Sequence, residues 1–172
     1  MNTKDSPFGV SAEVPDWSRE EKSAFSWQPS RALMASIRTY QRYADSRNPL
    51  LVLIKKFAVL RHLFWSVVTG ADIPIDCQIG GGLLLPHPNG VVIHSGARIG
   101  PNCLIFQQVT IGTRAGTIPP VIGGHVDIGA GAKILGSVNI GDHVCIGANA
   151  VVLTDIPAGK TAVGVPAVIV DV

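Results

Sequence analysis

The chain of 172 residues is long enough for one domain with a sizeable core. Charged residues make up only 15% of it and hydrophobic residues 47%, and together with 19 glycines this balance is typical of a β-rich solenoid or barrel. The 14 basic and 12 acidic residues give a formal net charge of +2 without any block of like charge, which argues against nucleic acid as a partner.

Residues 1–29 are predicted to form a solvent-exposed, flexible arm. They contain no apolar run of the kind that marks a secretory signal peptide. The three cysteines, Cys77, Cys103 and Cys145, are widely spaced and odd in number, so they indicate neither a disulfide framework nor a CxxC metal site. We therefore expect a protein of the reducing cytoplasm.

Residues 30–70 are predicted to form two helices that cap the rest of the chain. The first runs from a Ser30 cap to about Asp45, and the second begins with Pro49 in its first turn and ends at Gly70. Apolar residues at helical spacing in the second helix are expected to cover the open end of the region that follows. They are Leu50, Leu53, Ile54, Phe57, Leu60, Phe64 and Val67.

The second helix also contains a long apolar run, residues 50–68, which approaches the length of a membrane span. Lys55, Lys56 and Arg61 interrupt this run, and each would cost about 2.5–3.5 kcal/mol at the centre of a bilayer. We therefore expect a packed helix, with membrane contact at most peripheral.

From residue 71 onward an aliphatic residue recurs at every sixth position. The series runs in three registers: Ile73, Ile79 and Leu85; then Ile93, Ile99, Ile105 and Ile111; then Ile122, Ile128, Ile134, Ile140, Ile146 and Val152. Glycine follows most of them, and the fourth residue after each is usually small or branched, which suits a short strand and a turn. Three such units form one triangular coil, so residues 71–172 are predicted to be a parallel β-helix of about five stacked coils. Cys77 and Cys103 would be small core residues, while Cys145 would face out.

Several motifs in this region resemble those of the serine acetyltransferases and their short relatives among the bacterial hexapeptide acyltransferases. They are GLLLPHPNGVVI at 82–93, QQVTIGT at 107–113, GAGAKILG at 129–136 and GVPA at 164–167. The resemblance covers roughly residues 50–170. It implies a β-solenoid of the left-handed parallel β-helix type, a homotrimer or a dimer of trimers, and an acetyl-CoA site between neighbouring subunits.

His87 is the candidate general base. It lies between two prolines, where Pro88, Asn89 and Gly90 cause the slip in register and turn the imidazole outward. Moving an acetyl group from a thioester to a hydroxyl requires a base, and histidine is suited to take the proton near neutral pH. Asp72 lies 15 residues earlier, nearly beneath His87 in a coil of 18 residues, where a carboxylate can hold the ring tautomer. Both match the family's catalytic pair; the alternatives are a solvated turn histidine and an aspartate that ends the helix.

The resemblance also implies which residues bind the acyl donor, acetyl-CoA. The break in the series at residues 112–121 is expected to leave the coil as an extended loop that lines the thioester cleft. The implied contacts are Gly112, Thr113 and Arg114 along the pantetheine arm, the small Ala130 and Ala148 beneath it, and Lys133 and Lys160 at the phosphates. His94 and Asn89 are candidates for the acceptor pocket. Plain surface exposure is the alternative for His94 and for both lysines.

Three positions depart from the family pattern. Serine acetyltransferases have an aspartate just before the catalytic histidine and an Arg-His pair in the extended loop, and these hold the amino acid acceptor. The matching residues here are Pro86, Ile118 and Pro119, none of which binds an ammonium or a carboxylate. Acetyl transfer is therefore better supported than serine as the acceptor.

The leading hypothesis is a cytoplasmic O-acetyltransferase that uses acetyl-CoA and no metal, with a small hydroxyl acceptor. That acceptor is either serine, as in cysteine biosynthesis, or a sugar hydroxyl in surface polysaccharide biosynthesis. A lyase like the γ-type carbonic anhydrases would need a histidine pair five residues apart, whereas His87 and His94 are seven apart and His125 and His143 eighteen. A non-catalytic scaffold would leave the Pro-His-Pro sequence at a coil break without a reason.

Overall fold

A computed structural model describes residues 9–23 and 26–171 of the protein. A single 3₁₀ turn at Trp17–Glu20 precedes helix α1 (Pro29–Arg42) and helix α2 (Pro49–Thr69). Short strands follow: β1 (Gln78–Ile79), β2 (Val92–Ile93), β3 (Arg98–Ile99), β4 (Leu104–Ile105), β5 (Thr110–Gly112), β6 (Val121–Ile122), β7 (Asp127–Ile128), β8 (Lys133–Leu135), β9 (Asn139–Ile140), β10 (Cys145–Ile146), β11 (Val151–Val152), β12 (Thr161–Val163) and β13 (Val168–Val170). Within these residues no helix has the length and apolar character needed to cross a membrane.

Both predicted helices are present, but Ser30 lies inside the first one instead of capping it, and that helix ends at Arg42 before the predicted Asp45. Helix α1 has Pro29 at its first position, where a missing N–H costs nothing. The Asn48 side chain caps α2 by accepting a hydrogen bond from the Leu50 N–H at 3.0 Å. Gly70 ends α2 in the left-handed conformation, φ 63°, and its N–H donates to the Ser66 carbonyl.

The chain then passes through three parallel sheets in turn. Sheet 1 has the strand order β2-β5-β8-β11, sheet 2 has β1-β3-β6-β9, and sheet 3 has β4-β7-β10-β12, with β13 added antiparallel to β12. One coil is one pass through the three sheets, and an isolated bridge from Asp72 to Val92 begins sheet 1 in the first coil. Pairing joins Ile93 to Ile111 and Ile111 to Ile134, so residues of the sixth-residue series lie on one another in successive coils. The predicted periodicity is confirmed.

The core is the column formed by this series. Ile93, Ile105, Ile111, Ile128 and Ile134 are each at most 2% exposed. This packing removes apolar surface from water over the whole length of the coils.

Cys77 and Cys103 are buried in this core and Cys145 is exposed, as predicted. Burial raises the pKa of Cys77 to about 11 and that of Cys103 to about 12, so both remain unreactive thiols at neutral pH.

The core extends further than the predicted series. Ile156 and Ala162 are 2% and 0% exposed and continue the column beyond Val152. Ile156 pairs with Ile140, a separation of 16 residues where the regular coils have 18. Because the last coil is two residues shorter, a fixed six-residue spacing does not reach it.

The prediction that this face of α2 covers the first coil is wrong, although Trp65 on another side of α2 does pack against the core. Leu33, Met34 and Ile37 of α1 are buried in one cluster with Ala71 and Ile73, so α1 closes this end of the core. Helix α2 packs through a different side, which contains the buried residues Ala58, His62 and Thr69. Most residues predicted to form the cover are exposed in this chain: Leu50, Leu53, Phe57, Leu60, Phe64 and Val67, with Ile54 partly buried.

The described part of the predicted arm also differs from expectation, because it packs against the coils. The buried Asn102 side chain accepts a hydrogen bond from the Asp16 N–H at 2.7 Å. Its amide nitrogen donates to the carbonyls of Ser11 and Val14 at 2.7 and 2.8 Å. These bonds hold the arm on the turns between sheets 2 and 3. Residues 1–8, 24 and 25 of the predicted arm lie outside the described residues.

Candidate active site

His87 lies at the junction between the helices and the first coil, on the turn that leads from sheet 3 to sheet 1. Its side chain is exposed and lines a cavity of about 330 Å³, which we call the His87 cavity. The other lining residues are Pro29 and Ser30 of α1, Val68 and Thr69 of α2, and Pro86, Pro88 and Asn89 of the turn. The cavity therefore has three walls: the start of α1, the end of α2 and the slip in the repeat.

Gly70 allows the end of α2 to approach this turn closely. A Cβ atom at position 70 would lie 2.8 Å from the Asn89 side-chain nitrogen. The Gly70 carbonyl accepts a hydrogen bond from the Gly90 N–H at 2.8 Å. A side chain at position 70 would also be strained, because φ there is positive. The end of α2 and the turn at residues 86–90 are thus held together by backbone contact.

Asp72 lies on the segment that pairs with the far side of the same turn. Its N–H donates to the Val91 carbonyl at 2.8 Å, and its carbonyl accepts from the Ile93 N–H at 2.9 Å. Its carboxylate is exposed, and among the described residues no hydrogen bond joins it to the His87 imidazole. The backbone thus places Asp72 beside the His87 turn, while the orienting role of the carboxylate stays a prediction.

The two predicted acceptor residues lie in different places. Asn89 lines the His87 cavity. His94 is exposed at the opposite end of strand β2, on the turn from sheet 1 to sheet 2, where its Nδ1 accepts from the Gly96 N–H at 3.0 Å. Within one chain, His94 therefore does not contribute to the His87 cavity.

The predicted extended loop leaves the coil between β5 and β6. This is the turn from sheet 1 to sheet 2, one coil further along than the equivalent turn that carries His94. Thr117 closes its tip, since the Thr117 hydroxyl accepts from the Arg114 N–H at 2.8 Å and donates to the Arg114 carbonyl at 2.7 Å. The Ile118 N–H donates to the Ser137 hydroxyl at 3.1 Å and ties the loop to the next coil. Thr113 and Arg114 are exposed, and Gly112 is the last residue of β5.

Three of the other residues predicted to contact the coenzyme lie on one edge of the coils. Ala130 and Ala148 occupy equivalent turns from sheet 3 to sheet 1, the same type of turn that carries His87. The Asn149 N–H donates to the Ala130 carbonyl at 2.8 Å, which stacks the two turns. Lys133 begins β8 next to them and donates to the Gln108 carbonyl.

Lys160 lies apart from this edge. It is on a turn from sheet 2 to sheet 3 and forms an ion pair with Asp171 at 3.1 Å.

The structure also contains a histidine pair that the sequence did not predict. The Nδ1 atoms of His125 and His143 are 2.8 Å apart, on neighbouring turns from sheet 2 to sheet 3. Burial lowers the pKa of His125, so the neutral ring is favoured. The signal in the sequence was their spacing of one coil, which by itself gave no reason to expect contact. This pair is on a different edge from His87.

Comparison with known proteins places the coils in a class. The family of bacterial transferase hexapeptide repeats (six repeats) matches residues 119–154. A serine acetyltransferase from Synechocystis is 52% identical over 101 residues, which cover 57% of this chain and 41% of the relative. One from Staphylococcus xylosus is 45% identical over 122 residues, covering 67% of this chain and 56% of the relative. The chain thus spans about half the length of these curated relatives.

Solved structures identify the family. A serine acetyltransferase in complex with CoA superposes with a TM-score of 0.69 and 34% identity, covering 84% of this chain and 58% of that one. The soybean serine acetyltransferase apoenzyme has a TM-score of 0.61 and 34% identity, over 86% of this chain and 72% of the soybean chain. The protein therefore belongs to the serine acetyltransferase-like hexapeptide acyltransferases.

Proposed function

We propose that the protein is an acetyl-CoA-dependent O-acetyltransferase that moves an acetyl group directly to a hydroxyl of a small acceptor. The observation that carries the proposal is the exposed His87 imidazole on the wall of a cavity formed where the repeat slips. Family membership supplies the reaction class, and the cavity supplies a place for an acceptor hydroxyl next to a base.

In this mechanism His87 removes the proton from the acceptor hydroxyl while the hydroxyl oxygen attacks the thioester carbonyl carbon. The resulting tetrahedral intermediate collapses as the carbon–sulfur bond breaks, and the proton held by the imidazolium passes to the departing CoA sulfur. The Asp72 carboxylate would hold the ring in the productive tautomer and stabilise its positive charge. The products are an acetyl ester and CoA, with no net change in protons.

The proposal includes a left-handed coil and a trimer in which two chains complete each site. Its support is the placement of the predicted residues on two different edges of one chain. His87, Ala130 and Ala148 lie on turns from sheet 3 to sheet 1, whereas His94 and the extended loop 112–121 lie on turns from sheet 1 to sheet 2. A neighbouring subunit would bring its loop and His94 to the His87 edge.

The acyl donor would be acetyl-CoA, because a related enzyme has been solved with CoA. Gly112, Thr113 and Arg114 would contact the pantetheine arm from the loop side of the cleft. The arm would cross the small Ala130 and Ala148, with Lys133 near the phosphates. Lys160 fits this role less well, since it is paired with Asp171 on another edge.

A hydroxyl acceptor without an amino acid backbone fits the His87 cavity better than serine does. Among the described residues that line this cavity, His87 is the only one with an ionisable side chain. Pro86 stands where the family has its acceptor-binding aspartate, and Ile118 and Pro119 replace the Arg-His pair of the loop. A cytoplasmic sugar O-acetyltransferase is thus the form of the proposal that these residues favour.

The test is CoA thiol release from acetyl-CoA with serine, homoserine and common hexoses as acceptors. We expect acceptor-dependent thiol release by an oligomer that sediments as a trimer or a multiple of it. Release that no hydroxyl acceptor stimulates, although acetyl-CoA binds, would overturn the proposal. Strict dependence on added zinc would favour the lyase hypothesis instead.

A further inference from the structure

A second cavity of about 210 Å³ adjoins the His87 cavity, and we call it the arginine cavity. Its lining residues are Arg19, Glu20, Ser30, Arg31, Met34, Leu83, Leu84, Leu85 and Pro86. Ser30 and Pro86 line both cavities, so the two share a wall. The two cavities are therefore neighbours, which is the arrangement that a ligand reaching both would require.

The arginine cavity has an excess of positive charge. Two guanidinium groups and one carboxylate line it, but the carboxylate is already engaged. Glu20 Oε1 accepts hydrogen bonds from Arg38 at 2.8 Å and from the Leu83 N–H at 3.0 Å, and Oε2 accepts from Arg38 Nε at 3.0 Å. Because Arg38 neutralises Glu20, no lining carboxylate balances the positive charges of Arg19 and Arg31. Arg31 Nη1 already donates to the Glu21 carbonyl and to Gln28 Oε1, so a ligand would use its remaining N–H groups.

Arg19 has hydrogen-bonding capacity that the protein does not use. Its Nε is buried and has no hydrogen-bond partner among the described residues. Within the described part of the chain its side chain makes a single, long hydrogen bond, from Nη2 to the Cys103 carbonyl at 3.5 Å. Because this atom is closed even to water, a ligand in the cavity would meet Arg19 through the rest of its guanidinium group.

The start of helix α1 adds a favourable field at the same place. Ser30 and Arg31 lie in its first turn, and Gln28 at the N-cap position makes no side-chain capping bond. The first turn of a helix carries partial positive charge and favours an anion. The partial positive charge of this helix end is separate from the charges of the two arginine side chains, and it has the same sign as they do.

We propose that the arginine cavity binds a phosphate group of the acceptor, so that the acceptor is a phosphorylated sugar whose free hydroxyl reaches His87. The inference rests on the proposed function, since it assigns the acceptor of the same reaction. Two guanidinium groups suit a phosphate dianion, which takes several charge-assisted hydrogen bonds. Ser30, Thr69 and Asn89 in the His87 cavity suit neutral sugar hydroxyls. An amino acid fits less well, because the cavity offers its ammonium no unpaired carboxylate.

The experiment compares matched acceptors: a hexose, its 1-phosphate, its nucleoside diphosphate form, and serine. We expect kcat/KM to be about 10- to 100-fold higher for one phosphorylated form than for the free hexose. Preference for the 1-phosphate would assign a terminal phosphate, and preference for the nucleotide form would assign a diphosphate.

Arg31→Met and Arg19→Met should remove the preference by raising KM for the phosphorylated acceptor, with little change for the free hexose. Arg47→Met, on the exposed segment between α1 and α2, is the control.

A binding measurement keeps this inference separate from the proposed function. Inorganic pyrophosphate is titrated into the wild-type protein and the Arg31→Met variant, and we expect the variant to bind about tenfold or more weakly. Equal binding to both, or equal kcat/KM for free and phosphorylated hexose, would overturn the phosphate site while acetyl transfer to hydroxyls still stands. A kcat/KM for serine above that of every sugar would also overturn it. Absence of acetyl transfer to any hydroxyl would overturn the proposed function.

Discussion

The regular coils and the interrupted first coil are built from the same six-residue unit, but they differ in what the unit does. Between residues 121 and 152 each coil repeats the last, with Ile122 paired to Ile140 and Asp127 to Cys145, and the inward residues are buried. In the first coil two extra residues turn His87 outward, against the end of α2 and the start of α1. The comparison indicates that periodic packing supplies stability, and the proposed chemistry lies where the period breaks.

The largest expected effect comes from removing the side chain at the break. His87→Ala should lower turnover about 10²- to 10⁴-fold, the usual contribution of a positioned general base. It should leave the melting temperature and acetyl-CoA binding nearly unchanged, because an exposed turn side chain adds little to the core. Turnover is measured under saturating acetyl-CoA with the acceptor that the panel identifies. A variant that keeps more than about a tenth of wild-type turnover, outside that range, would show that His87 is not the base.

The second prediction concerns a buried residue of a regular coil, where we expect an effect on stability and not on turnover. Ile134→Ala should lower the free energy of unfolding by about 2–5 kcal/mol, because Ile134 is fully buried and its truncation leaves a cavity. Turnover per folded molecule should stay close to wild type at a temperature where the variant is folded. Chemical denaturation and the acetyl-transfer assay are run on the same sample. A large loss of turnover in folded protein would contradict the separation of the two regions.

Asp72→Asn sharpens the assignment within the first coil. We expect turnover to fall about 10- to 100-fold, less than for His87→Ala, because the change spoils ring orientation and charge but keeps the base. Asp76→Asn is a matched control, since Asp76 is an exposed carboxylate of the same coil. Equal effects of the two substitutions would assign Asp72 a general electrostatic role only.

Replacing residues 114–120 by a short glycine linker tests whether the extended loop, at the second break in the repeat, binds acetyl-CoA. The loop contributes none of the sixth-residue series, so the coils should remain folded. Pro120 at its end is buried and accepts a hydrogen bond from the Arg98 N–H at 3.2 Å, so some loss of stability is expected. Acetyl-CoA affinity should fall by about tenfold if the loop supplies one or two hydrogen bonds to the coenzyme. Unchanged affinity, measured by calorimetry, would move the coenzyme cleft elsewhere.

The smallest expected effect lies in the regular coils and depends on pH. Burial lowers the pKa of His125 below its usual 6.5, so the unfolded chain takes up a proton first as pH falls. His125 therefore contributes stability above about pH 6.5 that is lost during acidification. His125→Asn should weaken the fall in melting temperature between pH 7.5 and 5.5, and Asn suits the positive φ there because Asn102 occupies the equivalent turn. An unaltered pH dependence would exclude His125 as its source.

The sequence predicted the regular coils well because their signal is local and repeated. Each inward aliphatic residue identifies its own strand, and the two breaks at residues 86–91 and 112–121 appear directly as lost register. Pro49 and Gly70 also marked the ends of α2. These patterns depend on the local sequence and its repeat, and not on contacts between distant elements.

Packing between elements could not be predicted in the same way. Helix α2 is apolar around most of its circumference, so its spacing does not tell which side meets the core, and Leu33, Met34 and Ile37 of the less apolar α1 form the cover instead. The bonds from Asn102 to the arm and the contact between His125 and His143 join residues distant in sequence. The arginine cavity likewise depends on how the arm, α1 and the first coil meet.

Turnover of His87→Ala with and without added imidazole tests the central claim most directly. The substitution opens space in a cavity that is already accessible, and imidazole can then act as the missing base. We predict that imidazole raises turnover of His87→Ala several-fold, in proportion to its neutral form, and leaves the wild type and Asp76→Asn unchanged. A folded, acetyl-CoA-binding His87→Ala enzyme that retains near wild-type turnover and ignores imidazole would contradict the assignment of catalysis to the break in the repeat.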